Sequence, residues 1–275
     1  MVRAEAIGWR AHAGLTASGG VATVVAPLSR SFYAEAAGEL IWVGGADMPM
    51  HPRAVLVPIA PVTAAGARVT VTLDGVAPWR AAMLRVPQPS APDGARTLAA
   101  ALGAIGEPRG LARLLGAGGE DDFVTMQARP YVSALARACA ESDAAAFADA
   151  ARPLLGLGTG FTPSGDDFVG GALFARRVLV GMDSTWTSVA VRIVAEAVLL
   201  THPISARLLA DLAAGEGWAP LHALSAALAS KETAAAITWA REVTALGHTS
   251  GWDVIAGLLT GLVGEPVGLP SHGPG

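Results

Sequence analysis

The sequence predicts an α+β protein, with an N-terminal antiparallel β barrel or sandwich over residues 1–90 and a mainly α-helical C-terminal domain over residues 91–275. Three observations carry this. Short β-branched runs separated by glycine pairs fill the first part, alanine- and leucine-rich stretches of helical length fill the second, and a turn-rich segment without apolar periodicity stands between them. At 275 residues the chain is long enough to bury a substantial core in one large domain or two ordinary ones.

Strands are expected over residues 21–25, 39–43, 54–59 and 68–73, with Gly19-Gly20, Gly44-Gly45 and Asp74-Gly75 as punctuation. Residues 68–73 alternate strictly, which sends Val69, Val71 and Leu73 to one face. Residues 87–94 read as the linker between the two units. Helices are expected over 97–102, 131–140, 144–155, 186–200 and 233–245, where alanine and leucine favour the helix.

Composition narrows the function classes. With 52% hydrophobic residues, 15% charged and a net charge of -4, the chain reads as globular with few surface charges. Its 19 basic residues form no cluster, so the electrostatic footprint of a nucleic-acid binder is missing and a small-molecule ligand is expected. Cys139 is the only cysteine, which rules out an intrachain disulfide and reads as a buried structural thiol. There is no secretory signal pattern, and no apolar run reaches the roughly 18–20 residues that span a bilayer, so no membrane partner is expected and the cytoplasm is the expected location.

The most unusual stretch is residues 156–171, which holds six glycines, several hydroxyls and the carboxylates of Asp166 and Asp167. Thr162 followed by Pro163 is a helix-start signature, so a helix is expected over 163–180 with Thr162 as its cap. Glycines ahead of such a start let the backbone approach a ligand, and the free N–H groups favour an anion. Gly158, Gly160, Thr162, Ser164 and Gly165 are therefore candidate anion-binding residues. No Gly-Lys-Ser/Thr follows and no acidic residue stands at dinucleotide-fold spacing, so there is no nucleotide cofactor signature. A plainer reading has the glycines serving a tight loop, with Asp166 and Asp167 neutralising the helix N-terminus.

A partial repeat begins 86 residues after Ser164, at Ser250. Residues 164–173 and 250–259 align without a gap and share Ser, Gly, Asp, Gly and Leu, five identities in ten positions. Each copy places a serine three residues before an aspartate, on one face of a first helical turn, and a glycine four residues past that aspartate. Two facing copies would gather Asp167 and Asp253 with Thr162, Ser164, Thr249 and Ser250. The plainer alternative is a pair of equivalent helices whose glycines face each other and whose Ser and Asp are caps. Asp166 has no counterpart, because Trp252 stands in its place. Asp166, Asp167 and Asp253 are candidate ligands for a hard cation such as Mg²⁺, whereas no His or Cys spacing suits zinc.

A third cluster, residues 201–207, supplies His202, Ser205 and Arg207, and Arg207 has the geometry to clamp a carboxylate. His202 and His248 lie in motif-like surroundings, and His12, His51, His222 and His272 stand alone.

On Gly158-x-Gly160-x-Thr162-Pro163-Ser164-Gly165-Asp166-Asp167, the chain resembles a family of bacterial proteins that includes the AllH-type subunit of oxamate carbamoyltransferase, from anaerobic allantoin breakdown. Thr201 with Ser205, and residues 247–253, are similar to two further elements of that family. The likeness covers about 150–260; in the β half only Ser29-Arg30 is similar. It implies a carbamoyltransferase-type enzyme or subunit that works with partner subunits on carbamoyl phosphate and an oxamate-like acid. Asp167, Asp253 and His248 would then position or deprotonate the nucleophile, and Thr249, Ser250, Ser205 and Arg207 would join the glycine-rich loop in binding substrate. The Ser-Thr-Arg-Thr loop of aspartate and ornithine carbamoyltransferases is absent, and Ser205 stands where their His-Pro-x-Gln has glutamine, so a different fold is expected. Cations are scarce: only Arg30, Arg152 and Arg207 are plausible contributors. Two other readings stay open, a non-catalytic binding or scaffold subunit and a metal-dependent hydrolase using Asp166, Asp167 and Asp253. Oligomerisation is compatible with each.

Overall fold

The structure, a computed structural model, describes residues 1–116 and 122–264. His272 lies outside the described residues. The chain divides into two units, residues 1–82 with 216–219, and residues 83–215 with the remainder from 220.

The first unit is a curled, mixed sheet of eight strands beside one helix. In chain order these are β1 (Val2–Arg3), β2 (Ala6–Gly8), α1 (Trp9–Ala17), β3 (Val21–Pro27), β4 (Ser31–Ala36), β5 (Glu39–Gly45), β6 (Ala54–Val57), β7 (Arg68–Thr72) and β8 (Pro78–Trp79). The sheet order is β1-β7-β3-β4-β5-β6-β2-β8. The expected strands at 21–25, 39–43, 54–59 and 68–73 correspond to β3, β5, β6 and β7. The expected antiparallel pairings join β3 to β4, β4 to β5 and β3 to β7, while β1/β7, β5/β6 and β2/β8 are parallel, so the sheet is mixed.

Alternation drives the sheet's core. Ala22, Val24 and Ala26 of β3 and Phe32, Ala34 and Ala36 of β4 are buried while their neighbours face outward, and they meet Ile7, Leu15, Ile41, Val55 and Val71. Val69 and Val71 turn inward as the pattern required, and Leu73 packs on the cluster partly buried. The β4–β5 hairpin closes through Ala37 and Gly38, both at positive φ (50° and 82°), the geometry of a two-residue turn matched to strand twist.

The second unit is helical. Its helices are α2 (Ala91–Ala100), α3 (Leu102–Ile105), α4 (Phe123–Ala140), α5 (Ala144–Ala151), α6 (Ser164–Ala175), α7 (Ser184–Leu200), α8 (Pro203–Ala213), α9 (Ala219–Ala229), α10 (Thr233–Thr244) and α11 (Ser250–Val263). A 3₁₀ turn, Gly110–Leu115, precedes α4, and a π turn, Arg176–Val180, continues α6. Residues 87–94, read as a linker, lie inside this unit, and Ala91–Gly94 begin α2. Pro92 suits a first helical turn, and the Ser90 hydroxyl donates to the Ala229 carbonyl at 2.5 Å.

Helices α6 and α11 are buried on every side, from Gly165 to Ala175 and from Gly251 to Val263. Helices that are apolar all round belong in a core, and these two pack on each other. Glycine makes their approach close. A Cβ on Gly171 would stand 2.2 Å from the Val254 carbonyl oxygen, and one on Gly257 1.9 Å from that of Phe168. These residues are equivalent in the aligned motifs, so the contact reads the same from either helix and has local pseudo-two-fold symmetry. Gly165 and Gly251 form a second equivalent pair: a Cβ at either would lie 1.9 Å from a carbonyl oxygen, that of Leu154 or Val243.

Replacing Gly171 or Gly257 by alanine should therefore lower unfolding stability by about 1–3 kcal/mol through overpacking. Gly103→Ala in α3, where a Cβ meets nothing within 4 Å, should not. Urea titration of the three variants checks the contrast.

Candidate functional site

The approach of α6 to α11 brings both motif copies together. The loop ahead of α6 needs positive φ at Gly156 (77°), Gly158 (126°) and Gly160 (90°), a conformation that side chains disfavour. Among the described residues, the backbone N–H groups of Gly158, Thr159, Gly160, Phe161 and Thr162 make no hydrogen bond. Gly165 departs from the expected role, because its N–H donates to the Leu157 carbonyl at 2.9 Å. The equivalent Gly251 N–H donates to Leu246 at 3.1 Å.

Thr162 does not cap α6. Pro163 holds the cap position without a side-chain hydrogen bond, and the Thr162 hydroxyl instead shares a 2.9 Å hydrogen bond with the Ser250 hydroxyl of the other copy. The crossing continues one layer deeper. The Asp167 carboxyl interacts with the Ser250 hydroxyl and the Asp253 carboxyl with the Ser164 hydroxyl, so each motif's serine serves the other's aspartate.

Both carboxyls are almost fully buried, at 3% exposure for Asp167 and none for Asp253, whereas Thr162, Ser164, Thr249 and Ser250 are half-buried. The hydroxyls thus form a reachable layer over a covered carboxyl pair. Asp253 Oδ1 accepts the Leu111 N–H at 2.7 Å, while Oδ2 of both aspartates is buried with no hydrogen-bond partner. Burial pushes Asp253 up to about 7, against the pull of the Leu111 N–H and of the Ser164 and Thr249 hydroxyls. Burial raises Asp167 well above the ordinary carboxyl range, and the Asp253 charge raises it further.

Asp166 has a different job. Its Oδ1 accepts the Gly156 N–H at 2.8 Å, and its Oδ2 accepts the hydroxyls of Ser205, at 2.7 Å, and Thr201. It therefore ties the glycine loop to the start of α8, and Ser205 serves this tie. Burial raises its pKa and these three donors lower it. The expected three-aspartate metal set is not assembled: among the described residues, no group of three or more His, Cys, Asp and Glu side chains is placed to hold a metal ion.

The remaining candidates separate. His248 is exposed and makes no hydrogen bond to Asp167 or Asp253. His202 caps α8, accepting the Ile204 N–H at 3.2 Å through Nδ1, and its ring meets Phe161 edge-on. Arg207 is half-buried, Arg152 pairs with Glu196 at 3.3 Å, and Arg30 pairs with Asp47 in the first unit. Burial pushes the Cys139 thiol up to about 12, as suits a structural cysteine. Sequence reasoning missed Gly110 and Leu111. A Cβ on Gly110 would lie 2.2 Å from Asp253 Oδ1, and the only local signal was the turn-like Pro108-Arg109-Gly110.

The fold and the site together define a helical unit whose polar centre is made by two motif copies on a buried helix pair. Residues 154–262 are similar to the family model described as "Oxamate carbamoyltransferase subunit AllH", the family that the motif resembles. No curated protein and no solved structure matches the chain significantly. No helix among the described residues is long and apolar enough to cross a membrane.

The raised Asp253 pKa has a signed consequence. Folded Asp253 holds its proton up to pH about 7, whereas the unfolded side chain releases it near 3.8. Its contribution is fully present below the lower value and is lost as pH rises through the upper one, on the order of 4 kcal/mol in all. Urea unfolding followed across that window should show stability falling with pH, and Asp253→Asn should flatten the slope. An unchanged slope would contradict the buried titration.

Proposed function

We propose that this chain is a subunit of a carbamoyl-transfer system, and that its paired motifs bind the small anionic substrate and manage its proton. The observation that supports this reading most is the reciprocal clasp: half-buried Ser164 and Ser250 each back onto a buried aspartate with a raised pKa, beside a loop of unengaged backbone N–H groups.

In this reading the N–H groups of residues 158–162 receive the oxygens of carbamoyl phosphate, whose charge suits oriented donors at a helix start. The acceptor's nitrogen attacks the carbamoyl carbon, the bond from that carbon to the phosphate oxygen breaks, and phosphate leaves with the electron pair. The nitrogen's proton passes through the Ser164 hydroxyl to Asp253, whose pKa near 7 lets it take and return a proton at neutral pH. Asp167 and Ser250 hold the opposite side of the site. The covered carboxyls thus act through hydroxyls instead of touching substrate.

A second reading, a binding subunit without turnover of its own, is favoured by one observation: two of the three arginines considered for the anion, Arg30 and Arg152, are paired with carboxylates. The cation that phosphate release needs then comes from a partner subunit.

Titration calorimetry with carbamoyl phosphate and with phosphate should show binding to the purified chain. Ser250→Ala should weaken it at least tenfold, about 1.4 kcal/mol, when measured well below the variant's own melting temperature. Carbamoyl transfer to oxamate on adding the chain to its partner subunits supports the catalytic reading, and binding without any transfer supports the binding subunit. Failure of both anions to bind overturns the proposal.

A further inference from the structure

The segment that opens α8 is laid against the glycine loop, with His202 in its middle. On one side of His202, the Leu200 carbonyl oxygen would stand 2.4 Å from a Cβ on Gly156, so the two backbones meet there. On both sides, the hydroxyls of Thr201 and Ser205 donate to Asp166 Oδ2, while Asp166 Oδ1 takes the Gly156 N–H. The His202 ring itself meets Phe161 of the loop, with centroids 5.0 Å apart and planes at 62°. Pro203 sets the local conformation, because the residue before a proline is pressed into extended backbone, and His202 lies at φ −64° and ψ 139°. The imidazole then turns back over the first turn of α8, where Nδ1 accepts the Ile204 N–H at 3.2 Å. A ring nitrogen that accepts carries no hydrogen, so the ring's N–H is on Nε2. Across the ring from Nδ1, that N–H is directed away from the helix, and it makes no hydrogen bond among the described residues. His202 is half-buried and Phe161 is 40% exposed, so a ligand on the loop can reach it.

We infer that His202 is a phosphoryl-binding residue of the site, its Nε2–H adding a side-chain donor to the backbone N–H groups of residues 158–162. The inference rests on the carbamoyl phosphate reading above and names the residue that favours a phosphoryl end in the substrate. The loop's N–H groups all come from one stretch of backbone, whereas a phosphoryl group carries three oxygens aimed in different directions. A donor from a second element serves an oxygen that the loop leaves over. Arg30 and Arg152 are engaged by carboxylates, which gives a neutral donor at this place more weight. The donor is also pre-oriented: Nδ1 is pinned by the helix, and the residues on either side of His202 are pinned by Asp166, so little ordering is left for binding to cost. Asp166 is then a positioning residue, which keeps the loop and the imidazole in register.

Two substitutions separate the cap from the donor. In His202→Asn the amide oxygen stands where Nδ1 stood and still caps α8, but nothing reaches the place of Nε2. In His202→Gln an amide N–H reaches that place, and the cap is lost. Calorimetric titration of the full chain with inorganic phosphate and with carbamoyl phosphate should find binding weakened roughly tenfold in the Asn variant, which melts like the wild type. The Gln variant should recover much of that binding while melting lower. Phosphate binding at wild-type strength in the Asn variant, or no recovery in the Gln variant, overturns the inference and leaves the carbamoyl-transfer reading standing. A wild-type chain that binds neither anion overturns both.

Discussion

The close crossing of α6 and α11 is the constraint on which the second unit depends. Two helices buried on all sides approach until backbone meets backbone, because glycine stands at the equivalent positions 171 and 257. That approach fixes where the two N-termini lie, about two turns back along each helix. It brings Ser164 to Asp253 and Ser250 to Asp167 without any loop having to reach across.

Burying two carboxyls so close together is costly unless they stay protonated or are held by donors. The fold does part of each: serine hydroxyls and the Leu111 N–H approach the pair, and burial raises both pKa values, which favours the protonated forms. One oxygen of each aspartate is left without a partner. Native interiors seldom leave buried polar atoms so, and where they do the group commonly serves something other than stability. Asp166 is a contrast within the same turn, since both its oxygens are occupied by the groups that shape the glycine loop.

Much of this was legible in the sequence, for particular reasons. Strand β7 was clear because Val69 and Val71 alternate with polar neighbours, and the motif echo was clear because Ser, Gly, Asp and Gly recur at fixed spacing. That spacing reflects one packing geometry used twice. Strand β4 was missed because its turn is Ala37-Gly38, without the Asn-Gly or Asp-Gly that announces such a hairpin. The cap expected of Thr162 failed because its hydroxyl found a partner 88 positions away, a competition that local rules do not contain. Gly110 and Leu111 were missed for the same reason: their role is to meet Asp253, 142 positions from Leu111. Residues whose task is set by a distant partner are the ones that local pattern does not disclose.

The reciprocal clasp is tested most directly by double-mutant cycles on unfolding free energy. Ser164→Ala combined with Asp253→Asn should show a coupling of about 0.5–3 kcal/mol, as contacting residues do, whereas Ser164→Ala with Asp167→Asn, which are linked only through Asp253, should show a clearly smaller one. Additivity for the first pair, or equal coupling for both, would contradict the crossed arrangement.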